Sequence, residues 1–224
     1  VSKVRQDSAL RAAGIHTPKT MAVVGNQNLK NAARNMELPF ITKHNQGGKG
    51  LGVQLFRDYE TFDRYVDSED FLPSPDGITL LQQYIEPANG YITRVEIVDG
   101  RYQYAINSST EGGFQLCPAD ACAIDEADFC PVGDTGKFSL SEEVDANDPL
   151  VRKYIRMMDQ QGLDVAGIEF VTDKNGVRYT YDINGTSNYN GTVESNHGHH
   201  GMGAIADLVK RELGTRLVRA PAAK

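Results

Sequence analysis

The sequence predicts an α+β protein of two lobes built mainly on antiparallel sheets. Three observations lead there. Short runs rich in Val, Ile, Thr and Tyr are joined by turn clusters of a few residues, as in hairpins. Helical periodicity appears in a few interspersed stretches rather than after every strand. The chain has 224 residues, of which 40% are hydrophobic and 24% charged, so it can bury a sizeable core and is neither disordered nor fibrous in composition.

The elements follow in order. Residues 3–13 suit a helix that Gly14 closes, after which Pro18 leads into an extended Thr20–Val24 stretch. Phe40-Ile41-Thr42-Lys43 and Val53-Gln54-Leu55-Phe56 read as strands flanking a glycine-rich loop over residues 44–52. A helix is expected over Tyr59–Val66, where Tyr59, Phe62 and Val66 share a face. Ile78–Ile85 is a dense apolar strand, and Glu86-Pro87 marks a lobe boundary. Arg94–Val98 and Arg101–Ile106 form a hairpin, because Asp99-Gly100 readily takes the positive φ angles of a two-residue turn. Residues 107–146 show no sustained period and are expected to be a long loop or insertion. Asn147 or Asp148 caps a helix with Pro149 in its first turn, and Gly162 ends it. A last helix is expected from Ala204 to Leu213, stopping at Gly214, before a frayed tail. The organisation is a leading helix and linker over 1–20, a small lobe over 21–85, a large lobe over 86–219 and a tail over 220–224.

Twenty-three basic residues against 30 acidic ones give a net charge of −7, which opposes non-specific attraction to nucleic acid or to an anionic membrane. No run of about 18 apolar residues appears and the first residues given lack a basic stretch followed by a hydrophobic one, so a cytoplasmic location is expected. Cys117, Cys122 and Cys130 are three, an odd number in a chain that does not need stapling, and are expected to be free thiols. The chain opens on Val1 with helix-like sequence directly behind it, so a preceding segment is expected to be missing.

The chemistry concentrates in Val165–Thr172 and Val177–Asn184. If Asn175-Gly176 is a two-residue turn, Lys174 pairs with Val177 and Glu169 sits opposite Asp182. Asn184 then shares the face of Asp182, while Ile168, Phe170, Tyr181 and Ile183 form the oily face. Like charges opposed across a sheet are unfavourable unless a cation lies between them, and two carboxylates with an amide suit magnesium or manganese. The same pattern also fits a solvated face on which Glu169 and Asp182 pair with Arg178 or Lys174. The loop Gln46-Gly47-Gly48-Lys49-Gly50-Leu51-Gly52 can bring backbone N–H groups close to an anion, with Lys43 and Lys49 adding charge; read alone it also fits a mobile hairpin tip. A strand follows it, so it is neither a Walker A loop nor a dinucleotide fingerprint.

The order of Lys43, the glycine loop, Leu80–Ile85, Arg94, Val165-Ala166-Gly167-Ile168-Glu169 and Tyr181-Asp182-Ile183-Asn184 resembles the ATP-grasp superfamily over residues 2 to about 213. Its nearest branch is the ATP-dependent carboxylate-amine ligases that add glutamate to a ribosomal protein or to small amino-acid substrates. The resemblance implies two lobes enclosing ATP. Lys3 and Lys43 would meet its phosphates under the cover of Gln46, Gly47, Gly48, Lys49 and Gly50, and Gln83, Tyr84 and Ile85 would form the adenine hinge. It implies Mg2+ or Mn2+ on Glu169, Asp182 and Asn184, and Arg94 as a catalytic arginine near the reacting phosphate, the other reading of Arg94 being a pair with Glu96. It further implies small carboxylate and amine substrates, amino acids or a peptide tail among them, and leaves the oligomeric state open. Two departures stand out. Ile92 occupies a position where relatives often carry an acid, and Asn107–Cys117 lacks the family's arginine and asparagine beside the phosphates. A non-catalytic ATP-binding module, or phosphotransfer to a hydroxyl, are therefore the rival readings. The family usually carries a preceding domain. Asn188, Tyr189 and Asn190 suit either contact with an acyl acceptor or turn chemistry, and His197, His199 and His200 suit a flexible loop better than a metal site.

Overall fold

The computed structural model describes residues 2–47, 53–110, 138–185 and 189–219. The elements are α1 (Lys3–Ala12), β1 (Thr20–Val24), α2 (Leu29–Ala33), β2 (Phe40–His44), β3 (Gln54–Phe56), α3 (Tyr59–Asp67), β4 (Ile78–Gln83), β5 (Tyr91–Val98), β6 (Arg101–Ser109), β7 (Phe138–Leu140), α4 (Pro149–Gln161), β8 (Val165–Thr172), β9 (Arg178–Asn184), α5 (Gly191–His197) and α6 (Gly201–Arg219). They form a four-stranded sheet ordered β1-β4-β2-β3 and a five-stranded sheet ordered β7-β6-β5-β8-β9. The contacts divide the chain into two units, the first comprising residues 1–93, 108–117 and 169–183, the second residues 94–107, 118–168 and 184–224. Among the described residues no helix is long and apolar enough to cross a membrane.

In the first unit the four-stranded sheet is antiparallel throughout, with Met21 opposite Leu81, Leu81 opposite Thr42 and Phe40 opposite Phe56. Partners across a ladder share a face. One face therefore carries Val23, Leu81, Phe40 and Phe56, which pack with Leu29 and Ala33 of α2, with Phe62 of α3 and with Met36, which follows α2, into an apolar core. Phe40, Phe56 and Phe62 meet at centroid distances of 5.0–5.8 Å, two of the three contacts edge-on, the arrangement aromatic quadrupoles favour. The opposite face carries the rows Ala22–Leu80–Lys43 and Thr20–Gln82–Ile41. Leu80, Lys43, Thr20 and Gln82 from this face line a small cavity of about 10 Å3 with Lys3, Asp7 and Leu10 of α1 and Thr180 and Tyr181 of β9.

Helix α1 starts where Ser2 caps it, accepting from the Arg5 amide, and stops where Ala13 and Ile15 donate back to Ala9 and Leu10 around a left-handed Gly14 at φ 65°. Gly14 supplies this turn without the steric penalty a side chain would add.

In the second unit the hairpin between β5 and β6 turns through Asp99 and Gly100 at φ 55° and 65°, the paired positive angles expected of that dipeptide. Helix α4 begins at Asp148, whose side chain accepts from the Leu150 amide at 2.8 Å, has Pro149 in its first turn and ends at left-handed Gly162, as the sequence indicates. Tyr104 and Ile106 of β6 pack with Val193 of α5, flanked by Phe138 and Leu140 of β7.

Several expectations need correction. The segment from 107 to 146 is not wholly irregular: β6 runs on to Ser109 and β7 occupies Phe138–Leu140, while residues 111–137 lie outside the described residues. Helix α2, five residues long, is too short to leave a periodic signal in the sequence. Helix α6 begins three residues earlier than expected, at Gly201, and continues through Gly214 to Arg219; a helix-interior glycine costs only about 1 kcal/mol and by itself does not end a helix. The histidine-rich stretch is a helix junction rather than a loose loop, with α5 ending at His197, Gly198 left-handed at φ 70°, and α6 following. The tail beyond 219 lies outside the described residues.

Candidate functional site

The turn between β8 and β9 differs from the sequence expectation. Asp173 donates its amide to Val177 O at 2.9 Å and Gly176 donates to Asp173 O at 2.9 Å, enclosing a three-residue loop. Gly176 has φ 77° whereas Asn175 does not have a positive φ, so this is a tight turn closed by a left-handed glycine rather than a two-residue turn. The cause lies in Asp173, whose carboxylate accepts from the amides of Asn175 and Val177 at 2.9 and 2.8 Å and holds its own pKa below the ordinary carboxylate value chiefly through the Val177 amide. Asp173 therefore pairs with Val177 in place of Lys174, one residue out of the expected register.

Strand β9 absorbs an irregularity farther along. Thr180 N donates to His16 O at 2.8 Å, and Ile183 N donates to the Gln6 side chain at 3.1 Å. Residues three apart on a flat strand present their amides to opposite edges. Here both amides leave by the same edge, so an extra residue is taken up between them as a bulge, the usual device for re-aiming side chains. Its effect is visible at Tyr181 and Asp182, consecutive residues that both reach lysines: Lys43 Nζ lies 4.7 Å from the Tyr181 ring centre, and Lys3 Nζ donates to Asp182 Oδ1 at 2.7 Å. Tyr181 thus leaves the oily set assigned to it, while Ile168, Phe170 and Ile183 are buried as expected.

Lys43 is 6% exposed, and burial pulls its pKa from 10.5 down to about 8. Asp182 and Glu169 oppose that shift and Lys3 adds to it. A buried ammonium is tolerated because two carboxylates and an aromatic face surround it. The structure thus brings Lys3, Lys43, Glu169 and Asp182 into one electrostatic cluster of the first unit, with Asn184 two residues beyond Asp182 on the same strand. Two carboxylates and an amide are hard oxygen donors that fit a small divalent cation. Among the described residues no group of three or more His, Cys, Asp and Glu side chains converges as a metal site.

Two residues that the sequence did not single out hold this cluster. Asn45, 2% exposed, accepts from Lys3 N at its carbonyl and from Val4 N and Ser2 Oγ at its side chain, all at 3.0–3.1 Å, and its Nδ2 donates to Asp76. It fastens the start of α1 to the chain just ahead of Gln46 and Gly47, which are exposed. Gln6, one turn after Lys3, pairs both backbone groups of Ile183. Only the i, i+3 spacing of Lys3 and Gln6 hinted at this in the sequence. Gly48, Lys49 and Gly50 lie outside the described residues.

Gln83 ends β4 opposite Phe40; its amide donates to Lys19 O at 2.8 Å and its side chain accepts from Lys19 N at 3.2 Å. The Tyr84 amide donates to Pro39 O at 3.2 Å, and Ile85 follows, half-buried. Arg94 belongs to the second unit. Its Nε donates to Glu96 Oε1 at 2.6 Å, with the two side chains 7% and 1% exposed, so the pair with Glu96 exists and is buried. Its guanidinium lies where a side chain at Gly167 would stand, which reserves that position for glycine. The acid missing at Ile92 is thus matched by one on the other side of Arg94.

The RimK-like ATP-grasp domain model matches residues 2–118. A search of curated proteins finds no match. Among solved structures, the RimK-domain ATP-grasp protein of Sphaerobacter thermophilus superposes with a TM-score of 0.64 at 17% identity, covering 92% of this chain and 66% of that one. The D-alanine–D-alanine ligase of Bacillus anthracis, solved with ATP, gives 0.64 at 16% identity over 98% and 68%. The ATP-grasp ligase PsnB with its minimal precursor gives 0.59 at 15% identity over 92% and 58%; PsnB has also been solved with Mg and ADP. The chain therefore spans little more than half the length of PsnB.

Proposed function

The chain belongs to the RimK-like ATP-grasp family, and from that membership we propose that it is an ATP- and magnesium-dependent, ADP-forming ligase joining a carboxylate to an amine. The observation that carries this reading is the meeting of Lys3 and Lys43 with Asp182 and Glu169. Two ammonium groups facing two carboxylates form a site whose charges complement both parts of a magnesium triphosphate. In this reading Lys3 and Lys43 turn to the phosphate oxygens, and Glu169, Asp182 and Asn184 hold the cation. Bound magnesium supplies charge neutralisation between the phosphates and the carboxylates. The amides of Gln83 and Tyr84 already donate within the protein, so Ile85 N is left to meet adenine. Gln46 and Gly47, at the start of the glycine loop, would help to cover the phosphates and exclude water. Arg94, aligned by Glu96, stabilises charge on the transferred phosphoryl group.

The substrate carboxylate attacks the γ-phosphorus, forming a C(O)O–P bond as the bond to the ADP oxygen breaks. The amine then attacks the acyl carbon and expels inorganic phosphate to give an amide. Amino acids or a peptide tail are the substrates proposed, in keeping with the precursor peptide bound by PsnB, and the cytoplasm is the proposed compartment. Hydroxylamine trapping tests the reaction. With ATP, magnesium and a pool of amino acids and peptides, the account expects a hydroxamate together with ADP. ADP without hydroxamate favours phosphotransfer to a hydroxyl. ATP binding without ADP favours a non-catalytic module, the reading suggested by the absence of basic residues over Asn107–Cys117.

A further inference from the structure

We infer that Gln6 is a positioning residue for the metal-ligating pair, its carboxamide standing in for a neighbouring strand at the outer edge of β9 and fixing the backbone between Asp182 and Asn184. The inference rests on the reading of Asp182 and Asn184 as metal ligands. Gln6 Nε2 donates to Ile183 O at 2.6 Å, and Ile183 N donates to Gln6 Oε1 at 3.1 Å. This is the two-bond exchange that a partner strand would make. Strand β9 ends the order of its sheet, so without Gln6 both polar groups of Ile183 would lack the partner they have. The side chain is 7% exposed and both bonds are buried, where an unpaired amide or carbonyl is costly.

The position of the clamp gives it a functional consequence. Ile183 separates Asp182 from Asn184, and its φ and ψ set the angle between those two side chains. The bulge between Thr180 and Ile183 frees this stretch from the regular pleat that would otherwise impose that angle. Gln6 restores the constraint from outside the sheet. It is also delivered by the same helix, one turn on, as Lys3, which holds Asp182 itself. One face of α1 thus grips the ligand carboxylate and the backbone beside it. The requirement for a donor and an acceptor at one side-chain terminus selects an amide, since an ionised glutamate lacks the donor and methionine offers only a weak acceptor.

The experiment is a Mn2+ titration followed by electron paramagnetic resonance, in the presence of ADP, on wild type, Gln6→Glu and Gln6→Met. Thermal melting and metal-free ADP affinity are measured on each. Outer-shell supports of metal ligands cost about 10–100-fold in affinity when removed. Gln6→Met is therefore expected to weaken Mn2+ binding at least tenfold with ADP affinity unchanged, and Gln6→Glu, which keeps the acceptor for Ile183 N, to fall between. Amide exchange at Ile183 is expected to quicken in Gln6→Met, which removes the acceptor of the Ile183 amide. If the variants melt lower but bind Mn2+ as wild type does, Gln6 is a packing residue and the inference is overturned. Should Gln6→Met fail to fold, Gln6→Glu decides by the same criterion. Wild type that binds ADP but no Mn2+ overturns the metal reading itself, a result distinct from equal binding by all three proteins.

Discussion

Lys43 concentrates the energetic tension of the site. Its ammonium is held among Asp182, Glu169 and the Tyr181 ring, yet burial outweighs their attraction and lowers its pKa to about 8. Between about pH 8 and 10.5 the unfolded chain still carries a proton at this lysine that the folded protein has released, so stability rises with pH across that window. Folding with a charged Lys43 at neutral pH thus costs about 3 kcal/mol, a strain that triphosphate would relieve by supplying further negative charge. Urea unfolding of wild type and Lys43→Met at pH 7.5 and pH 10 checks this. The account expects wild type to gain stability relative to the variant over that interval, and parallel behaviour would contradict it. Lys43, Glu169 and Asp182 were legible because residue type and order carry them. Gln6 and Asn45 were not, because a glutamine in a helix and an asparagine before a glycine loop have no chemistry of their own; their roles come from the backbone groups they meet.

Elements were legible where a cap or a turn residue acts alone. Asp148, Pro149 and Gly162 bound α4 as expected, and Asp99-Gly100 makes its two-residue turn. Asn175-Gly176 offers the same dipeptide signal and takes a different turn, because the Asp173 carboxylate captures two loop amides and adds a residue to the loop. That one-residue difference would reverse the facing of the β9 side chains, and the bulge between Thr180 and Ile183 shifts it again. Two departures from the regular hairpin, one at the turn and one between Thr180 and Ile183, thus lie ahead of Asp182, and periodicity could reveal neither. Gly214 is the opposite case, a glycine read as a stop that lies within α6 with open space around its missing Cβ. Gly214→Ala is expected to stabilise the protein by about 0.5–1 kcal/mol, measured as a raised urea midpoint. A lowered midpoint would mean that the helix needs a break there.

At the scale of the molecule, the interspersed hairpins and helices announced an α+β fold of antiparallel sheets, and the combined order of the motifs pointed to ATP-grasp well before any single motif did. What the order could not convey is how the first unit assembles its charges. Helix α1, at the start of the chain, and β9, near residue 182, meet through Lys3, Gln6 and their partners across about 180 positions of sequence. The four-stranded sheet supplies Lys43 from the face opposite its aromatic core. The central claim is that this meeting point binds a divalent cation beneath a triphosphate. A crystal structure with a nonhydrolysable ATP analogue and Mn2+, using anomalous scattering to find the metal, tests it most directly. The account predicts an anomalous peak coordinated by Glu169, Asp182 and Asn184, with Lys3 released from Asp182 to the phosphates. Mn2+ bound elsewhere, or Lys3 still on Asp182 with the nucleotide in place, would contradict it.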